Sequence, residues 1–311
     1  MEQHFDVLVV GGGPGGYTAA LYCARAGFSV AVVEKLSPGG QMALAEQIDN
    51  YPGTDAVSGY ALAEQMRRSA EKFGAKTLLQ EAVSLELSAP VKSVFTSRER
   101  LTARAVILAM GAERKPLGLP RELELTGKGV HYCASCDGRQ YRGKTVAVAG
   151  GGNTAAAEAL LLSGLCQKVT LIHRRERLRA EQTAVSALEQ AGNVRFAPGV
   201  QVCSLLGQTH LTGVGLRDAQ SGAERELTCD GLFVCVGMRP ASQLVQGILE
   251  TDQNGYVLAD ETTRTTLPGV FAVGDLRAKT VRQIVTATAD GAAAAHFATE
   301  YLHKNQQAAP Q

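Results

Sequence analysis

Phe5-Asp6-Val7-Leu8-Val9-Val10-Gly11-Gly12-Gly13-Pro14-Gly15-Gly16 is the stretch that decides how this chain is read. An apolar run broken only by Asp6 predicts a buried strand, and Tyr17-Thr18-Ala19-Ala20-Leu21-Tyr22-Cys23-Ala24-Arg25 behind the glycines predicts a helix. The glycines therefore form a G-x-G-x-x-G turn in the setting that gives it meaning, between a strand and a helix. Gly11 allows the tight turn and Gly13 lets the backbone approach a pyrophosphate. Gly16 lets the helix pack close to the strand while its N-terminus faces the anion. A second strand, Val30-Ala31-Val32-Val33, ends at Glu34, whose carboxylate is placed to accept hydrogen bonds from an adenosine ribose.

The same pattern begins again further on. Thr145-Val146-Ala147-Val148-Ala149 runs into Gly150-Gly151-Gly152-Asn153-Thr154-Ala155 and then into a strongly helical Ala156-Ala157-Glu158-Ala159-Leu160-Leu161-Leu162. The chain thus contains two dinucleotide folds, an α/β arrangement of two Rossmann-like units. The second strand of this later unit, Val169-Thr170-Leu171-Ile172, ends in His173-Arg174-Arg175 with Arg177 and Arg179 close behind. A carboxylate there would repel a 2′-phosphate, whereas guanidinium groups bind it through paired charged hydrogen bonds. The first fold suits FAD and the second NADPH.

Between the two lies His131-Tyr132-Cys133-Ala134-Ser135-Cys136-Asp137-Gly138. Two thiols at this spacing can close a small disulfide ring, and such a ring in a soluble enzyme suits a reversible electron carrier better than a brace. Other readings stand beside it. Half of a zinc site would want a second Cys or His pair, but Cys23, Cys166, Cys203, Cys229 and Cys235 are solitary. A structural disulfide would span more chain, and a pair of buried reduced cysteines would not call for Asp137 beside them. Asp137 is the natural group for moving protons at a thiol, or else a helix-capping carboxylate.

The remaining segments read more plainly. Ser37-Pro38-Gly39-Gly40-Gln41-Met42 and Asp49-Asn50-Tyr51-Pro52-Gly53 are turn-rich loops. An amphipathic helix is expected from about Gly59 to Gly74, with Leu62, Met66 and Ala70 on its core face, followed by short strands from Thr77 to Thr102. Val106 to Ala112 is another buried strand ending in glycine, and short strands around Val194–Phe196, Val214–Leu216 and Leu232–Val236 finish the second unit. Near the end, Val270-Phe271-Ala272-Val273-Gly274-Asp275 is a strand and a Gly-Asp pair, and Arg282-Gln283-Ile284 opens an alanine-rich helix. Asp275 is a helix N-cap or the holder of a ribityl or phosphate-side hydroxyl.

With 311 residues, 45% of them hydrophobic, the chain has material for two cores. A net charge of +1 gives no electrostatic reason to expect nucleic acid or a membrane surface as partner. The apolar run from Val7 is cut short by glycines, so neither a signal peptide nor a membrane span is expected, and scattered cysteines fit a reducing, cytoplasmic compartment.

Taken in order, these motifs resemble those of the low-molecular-weight, bacterial-type thioredoxin reductases, class II of the pyridine nucleotide-disulfide oxidoreductases, over essentially the whole chain. The resemblance implies that the NADPH domain, 117–245, is inserted into an FAD domain split between 1–116 and 246–311. It implies that Gly11, Gly13, Gly16, Glu34, Lys35, Gly40, Gln41, Asn50, Asp275, Arg282, Gln283 and Ile284 line FAD. Gly150, Gly152, Asn153, Thr154, His173, Arg174, Arg175 and Arg179 would line NADPH. Electrons would pass from NADPH through FAD and Cys133–Cys136 to the disulfide of thioredoxin or a thioredoxin-like protein, with Asp137 as the acid, Cys136 nearest the flavin, no metal, and a homodimer as the assembly. Asn153 departs from the family, where an acid is common; beside a phosphate turn the loss of a negative charge should be harmless. Because each redox partner must reach the flavin in turn, the inserted domain is expected to swivel on connections near Gly111–Leu117 and Arg239–Val245.

Rival readings fit less well. Dithiol oxidases that resemble this chain tend to carry His after the second cysteine, where Asp137 stands here, and ferredoxin-dependent relatives have lost the arginines that remain as Arg174, Arg175 and Arg179. A peroxiredoxin-reductase flavoprotein would carry thioredoxin-like domains ahead of the first strand. A non-catalytic flavin-binding sensor would be suspected had either Cys133 or Cys136 been lost.

Overall fold

The computed structural model describes residues 2–45 and 47–307. The chain divides into two compact units, the first comprising everything up to Glu113 and again from Arg239, the second Arg114–Met238. The outgoing and returning connections contain the short strands Ala112–Arg114 and Met238–Pro240, which pair with one another.

In the first unit four parallel strands lie in the order Lys76–Leu79, Val30–Glu34, Glu2–Val10, Arg100–Leu108, and the antiparallel strands Lys92–Thr96 and Ala82–Glu86 extend the sheet beyond them. Val270–Ala272 also runs parallel to Arg100–Leu108. The Phe5–Val10 run is apolar because both of its faces are covered. Val7 and Val9 pack with Tyr17, Phe271 and Ala294, while Leu8 and Val10 pack on the opposite side with Leu101, Val257 and Leu276. The helices Pro14–Arg25 and Ile284–Gln307 meet through glycine: a methyl on Gly291 would lie 2.3 Å from the Gly15 carbonyl oxygen. The amphipathic helix runs Gly59–Glu71, capped by the Ser58 hydroxyl, which accepts from the Ala61 N–H; Leu62 and Ala70 are buried as its spacing predicted. Val245 is fully buried in this unit's core, so the return to the first unit comes at Arg239, seven residues before the boundary drawn from the sequence.

The second unit is built on a five-stranded parallel sheet in the order Val194–Pro198, Lys168–His173, Thr145–Gly150, Gly231–Cys235, Val130–His131. A three-stranded antiparallel sheet, Val200–Leu206, Gly213–Asp218 and Glu224–Thr228, is attached to it in sequence. Both units are α/β with parallel sheets, as the paired glycine turns predicted. Among the described residues no helix is long and apolar enough to cross a membrane. Cys23, Cys166, Cys229 and Cys235 are buried and unpaired, with burial pushing Cys23, Cys229 and Cys235 up to about 12 and Cys166 up to about 11. These four are packing groups.

Candidate functional site

Val130–His131 ends in the helical turn Ala134–Asp137, with Cys133 as its N-cap. Cys133 and Cys136 are joined in a disulfide, their Cα atoms 5.3 Å apart. The Cys133 sulfur accepts from the Cys136 N–H at 3.2 Å. It also lies 3.2 Å from the Ser135 hydroxyl, and because a disulfide sulfur carries no hydrogen the serine is the donor. Both donors converge on Cys133. Cys133 is buried and Cys136 exposed.

The Asp137 side chain caps neither the turn it ends nor the short 3-10 turn Gly138–Tyr141 behind it, so the capping alternative falls away. Its Oδ2 instead lies 3.2 Å from Nδ1 of His131. His131 is 4% exposed, stacks on Phe233, and its Nε2 is 2.7 Å from the Tyr141 hydroxyl. Burial, then the Asp137 charge, pushes Tyr141 up to about 12. From the helix Asn153–Ser163, the Glu158 carboxylate accepts from the Ala134 N–H. Burial raises the Glu158 carboxyl above the usual range, with the Ala134 N–H and the Arg114 charge pulling it partly back.

The first unit brings together residues far apart in sequence. Glu34 accepts from the Gly12 N–H at 2.7 Å and from the Leu36 N–H at 3.0 Å, which leaves each carboxylate oxygen capacity for a further donor. Gly39 donates to the Gly12 carbonyl at 2.7 Å, bringing Gly40 against Gly13. The Asn50 amide donates to Gln283 at 3.2 Å across 233 residues, and Ile284 packs beside Met42, Ile48 and Leu62. Arg282 lies over the Tyr256 ring at 4.0 Å, and Asp275, in the turn Gly274–Leu276, acts electrostatically on the same tyrosine. Lys35 stands apart, exposed and 3.7 Å from Glu81, and Gln41 is exposed.

At the second turn, Gly150 adopts φ +156° and a side chain there would meet the Cys235 carbonyl oxygen at 2.4 Å. His173 is buried with its ring against Gly151, whose carbonyl accepts from the Arg179 N–H at 2.6 Å. Burial, then the charges of Arg179, Arg175 and Arg174, lowers the His173 pKa. Those three arginines are exposed, as are Asn153 and Thr154. Asn153 clasps Glu181, accepting from its N–H at 2.8 Å and donating to its carboxylate at 3.1 Å. A negative charge thus stands beside this turn after all, supplied by Glu181.

The profile described as pyridine nucleotide-disulphide oxidoreductase matches residues 5–291. Thioredoxin reductase of Treponema pallidum is 41% identical over 97% of this chain and 98% of its own, and that of Bacillus subtilis 39% identical over 98% and 97%. The crystal structure of thioredoxin reductase from Streptococcus pyogenes superposes with a TM-score of 0.90 at 38% identity, covering 97% of this chain and 99% of that one. The chain belongs to the thioredoxin reductase family. As a member of this family it is an oxidoreductase that works with a flavin and a pyridine nucleotide.

The residues fit what thioredoxin reductases need. Methyl groups on Gly13 and Gly152 would meet nothing within 4 Å, so at both turns the backbone faces open space that a phosphate can approach. Buried nitrogens without a hydrogen-bond partner among the described residues include Arg282 Nε in the first unit and His173 Nε2, whose ring lies against Gly151, in the second. His131, Tyr141 and Glu158 have no role that the sequence alone reveals. His131 and Tyr141 flank the CxxC stretch, which was the available signal; Glu158 reaches it from 24 residues away and had none.

Proposed function

We propose that this protein is a thioredoxin-disulfide reductase that carries electrons from NADPH through FAD and Cys133–Cys136 to the disulfide of thioredoxin or a thioredoxin-like protein. The observation that carries it is the Cys133–Cys136 disulfide on a unit that also holds a glycine turn followed by exposed arginines. Gly11, Gly13, Gly16, Glu34, Lys35, Gly40, Gln41, Asn50, Asp275, Arg282, Gln283 and Ile284 would hold FAD. Gly150, Gly152, Asn153, Thr154 and His173 would hold the nicotinamide dinucleotide, with Arg174, Arg175 and Arg179 on its 2′-phosphate. Bound there, the flavin supplies the two-electron connection between nicotinamide hydride chemistry and a disulfide.

The chain's own residues do the rest. Once reduced, Cys133 is the thiolate that the Cys136 N–H and Ser135 hydroxyl stabilise, and it attacks the target disulfide. Cys136 then displaces the target from the mixed disulfide. Asp137 moves the protons, giving one to a leaving thiolate or taking one from an incoming thiol. The solitary buried thiols are consistent with a cytoplasmic location, and a homodimer is the assembly we assign.

The test is anaerobic NADPH oxidation by the purified yellow protein with thioredoxin as acceptor, beside NADH and a Cys136→Ser variant. We expect thioredoxin reduction with NADPH at least roughly tenfold better than with NADH, about the worth of one charged hydrogen bond, and its loss in the variant. Flavin bleaching without thioredoxin reduction would send the search to another acceptor. No bleaching by NADPH would overturn the arginine argument.

A further inference from the structure

Asp137 is not a lone carboxyl group: it lies against His131, which in turn lies against Tyr141. With Asp137 ionised, and so an acceptor only, the hydrogen within the 3.2 Å contact belongs to Nδ1 of His131. Nε2 is then free to accept from the Tyr141 hydroxyl at 2.7 Å. The ring cannot turn away, because it is stacked on Phe233 with centroids 5.4 Å apart and lies edge-on to Tyr141 at 5.2 Å. A nearly fully buried imidazole has thus been given one acceptor and one donor, each on the correct nitrogen.

We propose that His131 is a positioning residue for the thiol chemistry: its Nδ1–H, with the tautomer set by Tyr141, orients the Asp137 carboxylate and stabilises its charge. The inference rests on the assignment of Cys133–Cys136 as the working dithiol. In the exchange, a cysteine thiolate bonds to one sulfur of the target disulfide as the target's S–S bond breaks. The departing thiolate takes its proton from the Asp137 carboxyl, which is left as a carboxylate facing Nδ1–H. Over the full exchange Cys133 and Cys136 lose two electrons and two protons, and the target disulfide gains them. Because the hydrogen bond is made to the ionised form, it holds the carboxylate in one orientation as the proton leaves it and returns.

Among the described residues other titratable groups face this cluster, and the Arg114 charge acts on Glu158. Glu158 acts on Asp137 from the helix behind the second glycine turn. Asp230, Cys229 and Cys166 act on Tyr141, and the Lys144 ammonium lies 5.4 Å from the centroid of its ring. None of them takes the place of Nδ1 at the Asp137 carboxylate.

The experiment uses the flavin-loaded protein and three variants. His131→Phe keeps the stacked ring and removes both hydrogen bonds, His131→Asn keeps a donor near the position of Nδ1, and Tyr141→Phe removes only the tautomer lock. Turnover with thioredoxin is measured against pH, and separately the chemically reduced dithiol is alkylated against pH, which requires neither NADPH nor thioredoxin. We expect His131→Phe to lower kcat/KM about tenfold or more and to move the limb belonging to Asp137 to higher pH in both measurements. His131→Asn should restore much of both effects, and Tyr141→Phe should show a smaller shift in the same direction. Unshifted limbs in His131→Phe, even with turnover reduced, would make the residue merely structural and overturn the proposal.

Should His131→Phe fail to fold, judged by its flavin content, nitrogen NMR of histidine-labelled wild-type protein decides the matter. A hydrogen on Nδ1 supports the proposal; the opposite neutral tautomer overturns it. If the wild type reduces no thioredoxin, the functional assignment fails, while the alkylation profile and the tautomer still test His131 separately.

Discussion

His173 ends the strand Lys168–His173, and its ring packs directly against Gly151. Burial and three nearby arginines lower its pKa from 6.5, so the folded protein prefers the neutral imidazole. The sign follows from proton counting. At pH values below about 6.5 the unfolded chain takes up a proton that the folded chain refuses, so stability is fully present above that pH and declines as the pH falls toward the folded value. Chemical denaturation of wild type and His173→Asn between pH 7.5 and 5 should show a steeper loss for the wild type, by up to one proton in slope. Equal slopes would mean that His173 is not held neutral. A cavity left by the substitution lowers both ends of the series alike and leaves the slope difference readable. At this scale the sequence revealed the arginines because they stand where a strand must end, but it could not reveal that the histidine beside them faces inward. Nothing in the order His-Arg-Arg tells which of three successive side chains turns back under the glycine turn.

Among the elements, the helices Pro14–Arg25 and Ile284–Gln307 show how a small residue sets a distance. The Gly15 carbonyl would be 2.3 Å from a methyl on Gly291, and the Ala19 nitrogen 3.0 Å from it, so the two backbones touch where no side chain intervenes. Both neighbours are backbone atoms of a helix that leads out of the first glycine turn, and neither can swing aside. Gly291→Ala should therefore cost roughly 1–3 kcal/mol through overpacking, with flavin lost at lower denaturant concentration than from wild type. The check is flavin release and circular dichroism followed together through a urea titration; an unchanged midpoint would mean that the helices separate freely. The strands and helices around the two glycine turns were legible because full burial makes a strand uniformly apolar and a Gly-rich turn has few other uses. Val200–Leu206 and Glu224–Thr228 were not. They carry exposed or half-exposed residues such as Gln201, Glu224 and Arg225 at frequent intervals, and on so short a run the apolar alternation does not stand out. The contact of Glu158 with Ala134 was illegible for a different reason, since it exists only once a helix 24 residues away has packed against the CxxC turn.

Considered as a whole, the molecule separates its chemistry in a way that constrains how it can work. The disulfide and the second glycine turn lie in one unit, Arg114–Met238, while the first glycine turn lies in the other. If the flavin is held at the first turn, as proposed, then the dithiol and the nicotinamide are carried together on a single compact body and must each reach the same reactive region. A body that presents one of them there withholds the other, and a target protein also needs access to the sulfurs. Turnover then requires the inserted unit to change its pose between half-reactions, and the chain provides two short connections, at Glu113–Arg114 and Met238–Arg239, for it to turn on. A pair of introduced cysteines, one on each unit and joined by a short bifunctional reagent, should preserve whichever half-reaction the captured pose allows and abolish steady-state turnover. Rapid mixing with NADPH reads the first half-reaction as flavin bleaching, and oxidation of chemically reduced protein by thioredoxin reads the second. Joined protein that turns over at the rate of the unjoined control would show that one pose serves both steps, and the need for movement would be gone.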